Sequence, residues 1–379
     1  MTMQLNDEQK MIRETAMRFA ADELASHSGD WDDRKHFPID IIRKSADLGF
    51  AGIYTSEEGG GAGLSRFDAA LIFEQLSYGD ISTAAFISIH NMATWMIDRF
   101  GSPEQRDKYV RRLTTMELVA SYCLTEPGSG SDAAAMKTTA VRDSDAYILN
   151  GSKQFISGAG VSDVYVLMAR SGDNGANGVS AFIIERDQAG VSFGANERKM
   201  GWNSQPTRQV ILDNVRVSPE NRIGDEGRGF HFAMAGLDGG RLNIAACSLG
   251  GAQLALDKAL AYAKERQQFG QPISDFQAIQ FKLADMETEL QAARVFLYEA
   301  AVMLDLKSDA ASRWCAMAKR FVTDTCFQVA NDALQIHGGY GYLHDYGVEQ
   351  IVRDLRVHQI LEGTNEIMRV IISRDMLKA

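Results

Sequence analysis

The spacing of apolar and polar positions divides the chain into three parts. From residue 1 to about residue 120, apolar positions recur at helical spacing. The first helix is expected to be capped at Asn6–Asp7 and to turn Met11, Ile12, Thr15 and Phe19 inward. We therefore expect an N-terminal helical domain over residues 1–120.

The pattern changes at about residue 121 to short β-type runs. Ala146–Asn150, Val164–Ala169, Val179–Glu185 and Thr207–Leu212 are runs of this kind, and Gly, Asn, Asp and Ser separate them. Short runs between turn-forming residues are typical of an antiparallel sheet. The sequence therefore predicts a middle antiparallel β domain over residues 121–229.

Helical spacing returns after residue 229 and continues to residue 379. Four long segments carry it: 231–265, 275–305, 309–336 and 345–377. Long helices joined by short connections favour an antiparallel four-helix bundle. The predicted fold is therefore mainly α with a β domain in the middle, and its C-terminal bundle covers residues 230–379.

Composition and charge narrow the class of protein. The 379 residues include 39 basic and 50 acidic side chains, so the net charge is −11. An acidic chain without a basic run is a poor candidate for binding nucleic acid or an anionic membrane surface. The four cysteines lack metal-ligand spacing, no apolar run reaches the roughly 20 residues of a membrane span, and the first residues lack a signal peptide. We expect a cytoplasmic protein.

Glu362 is the first candidate for chemistry, because it lies at a break between two stretches of helical spacing. Gly363 can end the first helix and Thr364 can cap the second. Apolar residues on both sides would desolvate the carboxylate, which raises its pKa towards the range of a general base. Taken alone, Glu362 could equally be a solvated loop residue.

The segment Tyr122–Asp132 lies where the β domain begins. Gly128–Ala133 matches the pattern G-x-G-x-x-A, but β-type sequence follows instead of the helix that a Rossmann unit requires. We therefore expect no Rossmann domain. The hydroxyls and backbone amides of this segment can still bind a heterocycle and an anion, and a plain turn is the alternative.

Three glycine-containing segments lie at helices of the predicted bundle. Arg266 follows a long helix, where it can bind a phosphate or balance the helix dipole. The glycines of Gln335–Gly341 either admit a ligand close to the backbone or form a C-terminal turn. The two glycines of Asp238–Arg241 each cost a helix about 1 kcal/mol, which indicates a tightly packed neighbour or a kink. No hydrolase triad order or metal-binding motif is present, and we expect no metal.

Together these segments resemble the acyl-CoA dehydrogenase family over essentially the whole chain. The carrying motifs are T-E-P-G-S-G-S-D at 125–132, R-Q-Q-F-G at 266–270, H-G-G-Y-G at 337–341 and L-E-G-T-N-E at 361–366. Residues 87–98, 201–208 and 358–369 are most similar to the branch that acts on isobutyryl-CoA.

The resemblance implies an FAD enzyme that oxidises the Cα–Cβ bond of an acyl-CoA. Glu362 would remove the α-proton while a hydride leaves Cβ for flavin N5. The residues that the resemblance assigns to FAD are Tyr122, Leu124, Thr125, Gly130, Ser131, Phe155, Ile156, Ser157, Arg266, Phe276, Gln277, Gln335, Ile336, His337, Gly338, Gly339, Thr364, Asn365 and Glu366. Those that it assigns to the acyl-CoA channel are Ser131, Asp238, Gly239, Gly240, Arg241 and Arg374.

The resemblance also implies partners. It implies a homotetramer built as a dimer of dimers, in which Arg266, Phe276 and Gln277 reach the FAD of a neighbouring subunit. It further implies that electrons pass from the reduced flavin to an electron-transferring flavoprotein.

Position 240 helps to choose among the branches of the family. In the isovaleryl and long-chain branches the base comes from the segment that corresponds to Asp238–Arg241, but Gly240 has no side chain. The expected reaction is therefore isobutyryl-CoA to methacrylyl-CoA, a step of valine breakdown, with Glu362 as base. Butyryl-CoA and 2-methylbutyryl-CoA are alternative substrates. A flavin oxidase or monooxygenase and a non-catalytic helical scaffold are the alternatives from other classes.

Overall fold

A computed structural model describes residues 5–173 and 175–378. Helices form both ends of the chain and a sheet forms the middle, so the predicted fold class is confirmed. The N-terminal helices are α1 (Asp7–Phe19), α2 (Ser28–Arg34), α3 (Ile39–Lys44), α4 (Arg66–Gly79), α5 (Ile81–Phe100), α6 (Pro103–Gln105) and α7 (Arg111–Thr114).

The first helix begins at the predicted cap. Asn6 accepts a hydrogen bond from the backbone N–H of Gln9, whose side chain accepts one from the N–H of Asn6, which completes a capping box. Phe19 is buried and Ile12 packs against the same core, but Met11 is 61% exposed. The inward prediction for Met11 is wrong, because one residue before Ile12 lies about 100° further round the helix.

The sheet is built from short strands in the middle of the chain. They are β1 (Ala120–Cys123), β2 (Thr139–Asp143), β3 (Ala146–Ser157), β4 (Val164–Arg170), β5 (Val179–Glu185), β6 (Val191–Phe193), β7 (Thr207–Val217) and β8 (Arg222–Ile223). Their order is β6-β7-β3-β2-β4-β5-β8, with β1 also paired to β4.

The sheet is mixed rather than purely antiparallel. β1 pairs with β4 in parallel from Ala120 opposite Val164, and β2 meets β4 in parallel at Thr139 and Arg170. The prediction of an antiparallel sheet is corrected in this respect. The connection from β1 to β4 contains the whole β2–β3 hairpin, so it is long enough to return the chain in the same direction.

The C-terminal part is a helix bundle with a small β-ribbon. Its elements are α8 (Gly229–Glu265), β9 (Gln267–Gln268), β10 (Gln271–Pro272), α9 (Gln277–Asp305), α10 (Ala311–His337), α11 (Val348–Arg356) and α12 (Asn365–Met376). The last predicted segment is divided between α11 and α12, and the connection between them carries Glu362.

A small apolar cluster lies where the three parts of the chain meet. It joins Ala85 of α5, Trp202 from the segment before β7 and Ile244 of α8, with Val357 and Leu361 packed against them. This cluster is called the junction cluster below. In the described ranges, no helix combines the length and the apolar composition that a membrane crossing requires.

Candidate active site

Glu362 lies between α11 and α12 in a left-handed backbone conformation, with φ at +54°. This conformation is uncommon for a residue other than glycine, and it recurs at functional sites. Both carboxylate oxygens are buried and have no hydrogen-bond partner among the described residues, although the residue as a whole is partly exposed. Burial raises the pKa of this carboxyl from 4.5 to about 7, while the charges of Lys319 and Arg241 oppose the shift. A pKa near 7 suits a general base at neutral pH.

Gly240 of α8 forms the surface on which that carboxylate rests. A Cβ atom at position 240 would lie 2.6 Å from Oε2 of Glu362. At the neighbouring Gly239, a Cβ atom would collide with the guanidinium of Arg66, which stacks on Tyr54 at 3.5 Å from the ring centre. The prediction that something packs tightly against these two glycines is confirmed.

Arg241, which lies next to Gly240 on α8, supports the backbone of Glu362. Its Nε donates to the Glu362 carbonyl oxygen at 3.3 Å, and its Nη1 lies 2.6 Å from Oδ1 of Asp238. Ser312 also donates to Asp238, at 3.1 Å. Because Arg241 is buried, its charge requires a partner, which the carboxylate of Asp238 provides.

The predicted substrate residue Arg374 lies at the exposed end of α12. The next residue, Asp375, pairs with Arg313 at 3.3 Å, beside Ser312 and therefore close to Asp238. The structure thus brings Asp238 and the end of α12 to one side of the bundle. The opening of a channel at this position stays a prediction.

Lys319 of α10 is a residue of the site that sequence reasoning missed. Its side chain is completely buried, and its Nζ donates to the Gly363 carbonyl oxygen at 2.9 Å and to Oδ1 of Asn365 at 2.8 Å. Burial lowers the pKa of Lys319 to about 8. The available signal was a lysine on the apolar face of α10, where a charge requires a specific partner.

The three predicted FAD residues that follow Gly363 are placed differently from one another. The Thr364 side chain accepts a hydrogen bond from the N–H of Ile367 and caps α12, as predicted. Asn365 is buried, and besides accepting from Lys319 it donates to Thr323 at 3.0 Å. Glu366 is exposed. The Asn365 side chain is therefore engaged within the protein, whereas the Glu366 side chain is open to solvent.

A second wall of the site comes from β1 and β3. The hydroxyl of Tyr122 is buried without a hydrogen-bond partner in the described ranges. Phe155 lies in a register shift of β3, has φ at +58°, and is 64% exposed. The N–H of Gln154 donates to the Thr125 carbonyl oxygen at 2.8 Å, which places the Tyr122–Asp132 segment beside Phe155. Such a bulge re-aims a side chain outward, here a large apolar one.

The other predicted residues of this wall differ in burial. Leu124 and Ile156 are buried, and their side chains belong to apolar cores of the protein. Ser157 is partly buried, and Gly130 and Ser131 are exposed.

A buried ion pair, also missed by sequence reasoning, holds this wall together. Lys153 of β3 lies 2.8 Å from Oε1 of Glu126 and donates to the Leu124 carbonyl oxygen at 3.1 Å. Glu126 also accepts from the backbone N–H groups of Lys137 and Thr138. The pair therefore ties the segment before Gly130 to the strand that carries Phe155.

The remaining predicted residues lie at the far end of α8. From residue 240 to residue 266 the helix axis covers roughly 39 Å at 1.5 Å per residue. There a cleft of about 380 Å³ is lined by Arg266, Ile336, His337, Gly338 and Gly339, among others. A Cβ atom at Gly338 or Gly339 would meet no other atom within 4 Å.

His337 has a structural role in that cleft. Its Nδ1–H donates to the Ala333 carbonyl oxygen at 2.8 Å, and its ring stacks on Tyr262 at 4.5 Å. Burial lowers the pKa of His337, so the ring is held neutral. The nearby predicted residues Gln277 and Gln335 are exposed, and Phe276 is partly buried.

Comparison with protein families matches almost the whole chain. The acyl-CoA dehydrogenase N-terminal, middle and C-terminal domains match residues 6–117, 121–215 and 227–377, respectively. The chain is 55% identical to the mitochondrial isobutyryl-CoA dehydrogenase of Bos taurus, over 100% of this chain and 91% of that protein. It is 53% identical to the mitochondrial isobutyryl-CoA dehydrogenase of Dictyostelium discoideum, over 99% of this chain and 90% of that protein.

Solved structures share the fold. Butyryl-CoA dehydrogenase from Megasphaera elsdenii superimposes with a TM-score of 0.97 at 36% identity, over 100% of both chains. An FAD complex of PigA superimposes with a TM-score of 0.96 at 33% identity, over 99% of both chains. A chain solved in work on the electron transferring flavoprotein of Acidaminococcus fermentans gives 0.97 at 42% identity, over 100% of both chains.

Proposed function

We propose that this chain, which belongs to the acyl-CoA dehydrogenase family, dehydrogenates isobutyryl-CoA to methacrylyl-CoA with Glu362 as the base. The observation that carries the proposal is the position of the Glu362 carboxylate. This carboxylate is buried, has a pKa near 7, and rests on Gly240 of α8, which has no side chain. The names of the two isobutyryl-CoA dehydrogenases similar to this chain support the choice of acyl group.

The residues present fit an FAD cofactor. Phe155 offers an exposed aromatic face, and the Tyr122 hydroxyl is buried without a partner within the described part of the chain. Ser157 and the backbone near Thr125 would hold the polar edge of the ring system. FAD, when bound, supplies the acceptor for the hydride that leaves the β-carbon.

Glu362 contributes the proton transfer. Its carboxylate takes the proton from Cα, and the electron pair freed at Cα forms the new Cα–Cβ double bond. The β-hydrogen leaves with its bonding electron pair, as hydride. The reaction needs an ionised base, which a pKa near 7 provides at and above neutral pH.

The backbone at Glu362 contributes electrostatic stabilisation. The N–H of Glu362 makes no hydrogen bond within the described part of the chain. Arg241 and Lys319 fix the two peptide groups that follow it, through the Glu362 and Gly363 carbonyl oxygens, respectively. A donor aimed at the thioester oxygen is typically worth about 2.7–4 kcal/mol to the developing enolate.

The distance along α8 supports an assembly of subunits. Arg266 and the cleft around Gly338 are roughly 39 Å from Gly240 along the helix axis, so they would serve the FAD of a neighbouring copy. This separation supports at least a second subunit, and we propose the homotetramer, formed as a dimer of dimers, that the family resemblance implies. The electron transferring flavoprotein named with one similar structure supports a partner of that kind as electron acceptor.

The cysteines favour a reducing compartment. Cys123, Cys247, Cys315 and Cys326 are all buried and unpaired. Both the predicted cytoplasm and the mitochondrial location named for two similar proteins meet this requirement.

Anaerobic reduction of the purified yellow protein tests the proposal. Bleaching of the flavin would be followed with isobutyryl-, butyryl-, 2-methylbutyryl- and isovaleryl-CoA, and the four kcat/KM values compared. We expect isobutyryl-CoA to give the highest value. Equal or higher kcat/KM with butyryl-CoA or 2-methylbutyryl-CoA would move the assignment to that substrate. Rapid oxygen consumption by the reduced, substrate-bound protein would favour an oxidase.

A further inference from the structure

We propose that Trp202 closes the acyl pocket beside Glu362 and thereby limits the length of the acyl chain that the site accepts. This inference rests on the proposed function, because it specifies which acyl-CoA thioesters reach the base. It concerns a residue of the segment 201–208 to which no role has been assigned above.

The position of Trp202 follows from the junction cluster. Trp202 and Ile244 both belong to that cluster, and Leu361 packs against it. Ile244 lies four residues after Gly240 on the same face of α8, about 6 Å along the helix axis. Leu361 directly precedes Glu362. The indole therefore forms an apolar wall about one helical turn from the carboxylate that takes the α-proton.

The backbone of Trp202 is held in place on one side. Its φ is +53°, an uncommon value for a bulky residue, and its N–H donates to Oδ1 of Asp354 at 2.5 Å. At the preceding Gly201, a Cβ atom would lie 2.6 Å from that same Oδ1. Arg353 donates to the Met200 carbonyl oxygen at 3.2 Å, which fixes the chain one residue further back.

The other side of the segment is fixed equally well. The Trp202 carbonyl oxygen accepts from the N–H of Gln205 at 3.2 Å, and Ser204 donates to Ser82 of α5 at 2.8 Å. The Trp202 ring packs edge-to-face against the His358 ring, with 5.4 Å between ring centres. His358 in turn shares a hydrogen bond of 2.7 Å with the hydroxyl of Ser248 of α8. The indole is therefore a fixed wall rather than a movable flap.

The indole N–H does not account for this arrangement. Trp202 is 6% exposed, and its Nε1 is buried without a partner among the residues that the structure describes. Towards the residues around it, the side chain therefore contributes volume and apolar surface. A branched four-carbon acyl group would end at this wall, while a longer straight chain would collide with it, and such a clash gives specificity by exclusion.

Replacement of the indole by a smaller group should open the pocket. A Trp→Ala change leaves space comparable to an apolar cavity of about 150 Å³, which holds a molecule the size of benzene. One methylene in an apolar pocket changes kcat/KM by about 10–200-fold. In Trp202→Ala we expect the ratio of kcat/KM for hexanoyl-CoA to that for isobutyryl-CoA to rise at least about 100-fold.

Trp202→Leu is the milder variant and should raise the same ratio by a smaller factor. Trp202→Phe keeps most of the volume and removes the N–H, so it should keep the wild-type profile. Trp314→Leu is a matched control, because Trp314 packs against Phe296 on the bundle, away from the junction cluster. It should leave the ratio unchanged.

Binding of unreactive thioethers separates this inference from the proposed reaction. S-isobutyl-CoA and S-hexyl-CoA lack the thioester carbonyl that the reaction requires, so they bind without being dehydrogenated. Their affinities for the flavin-loaded proteins can be measured by titration. We expect S-hexyl-CoA to gain at least about 10-fold in affinity in Trp202→Ala relative to wild type.

If the Ala and Leu variants keep flavin but retain the wild-type preference among both thioesters and thioethers, Trp202 does not limit chain length. If the wild type dehydrogenates no acyl-CoA but the thioether preference changes as expected, the proposed reaction fails and the pocket assignment stands.

Discussion

The carboxylate of Glu362 rests directly against the backbone of Gly240, with 2.6 Å between Oε2 and the position that a Cβ atom of residue 240 would occupy. A side chain at position 240 and the carboxylate of Glu362 therefore cannot occupy this space together. A glycine at 240 gives the carboxylate its place, and the resulting burial raises the pKa of the base.

Gly240→Ala should displace the carboxylate without removing it. A contact of 2.6 Å with a carbon atom is too short, so Glu362 must move by several tenths of an ångström. Because a misplacement of about 1 Å can cost 10²-fold in rate, we expect kcat/KM to fall by about 10–10²-fold. Steady-state kinetics on flavin-loaded protein measures this.

Gly236→Ala is the matched control, one turn earlier on α8. Its Cβ atom would meet the flexible end of Met96 at 3.1 Å, which can give way. If Gly236→Ala loses as much activity as Gly240→Ala, the close contact with Glu362 is not the cause.

The acid limb of the pH–rate profile should report the ionisation of Glu362. We expect kcat/KM to rise with pH and to level off above an apparent pKa of about 7. The charged groups that face the carboxylate are Lys319 and Arg241, and Tyr54, Tyr122 and Cys247 also lie near it. Lys319→Met removes a positive charge that favours the carboxylate, so the limb should move to higher pH.

Lys153→Met provides the comparison for that shift. Lys153 is also a buried lysine, but it pairs with Glu126 in the β domain instead of facing Glu362. Its loss should affect stability and flavin binding while leaving the acid limb in place. Equal shifts in the two variants would mean that a general loosening of the fold, rather than the Lys319 charge, moves the pKa.

Glu362→Gln should be more stable than the wild type at high pH. The pKa of Glu362 is raised in the folded protein, so between about pH 4.5 and 7 the folded state binds more protons than the unfolded state, and stability falls as pH rises. At about 1.4 kcal/mol per pKa unit, the ionised carboxylate costs on the order of 3 kcal/mol above pH 7.

Thermal unfolding of both proteins with saturating FAD, at pH 8 and near pH 5, measures the effect. The difference in Tm should favour Glu362→Gln at pH 8 and nearly vanish near pH 5. A constant difference at both values would show that the carboxylate is not desolvated as described.

Arg266→Ala should weaken the retention of FAD. In the far cleft its guanidinium lies 5.3 Å from the Tyr340 ring centre, close to the open backbone of Gly338. Loss of charge-assisted bonds to a phosphate should lower flavin content after dialysis and destabilise the assembly. Arg34→Ala, which removes only an exposed pair with Asp30, is the control. Unchanged flavin content in Arg266→Ala would contradict its phosphate role.

Much of the fold followed from local pattern, because helical and strand periodicity is written into short windows of sequence. The break that carries Glu362 was predictable in part, since Thr364 caps α12 by local chemistry. The prediction that Gly363 ends the preceding helix is wrong, because α11 already ends at Arg356. Met11 shows the limit of this approach, because only packing decides which neighbouring apolar position faces the core.

The supporting residues of the site could not be read from local pattern. Lys319 donates a hydrogen bond to Gly363, which lies 44 residues away in the sequence. Lys153 donates one to Glu126, 27 residues away. The junction cluster, which includes Trp202 and Ile244 and against which Leu361 packs, forms only when all three parts of the chain have packed. Such contacts depend on tertiary structure, so their residue types looked like ordinary helix or turn residues in the sequence.

The most direct test of the central claim is the rate of flavin bleaching by isobutyryl-CoA in Glu362→Gln, measured anaerobically in a single turnover. The amide keeps the shape of the side chain but cannot accept the α-proton. The variant should remain yellow and bind the acyl-CoA, while bleaching slows by at least about 10²–10⁴-fold relative to wild type. Bleaching at a rate near that of the wild type would contradict the assignment of Glu362 as the base.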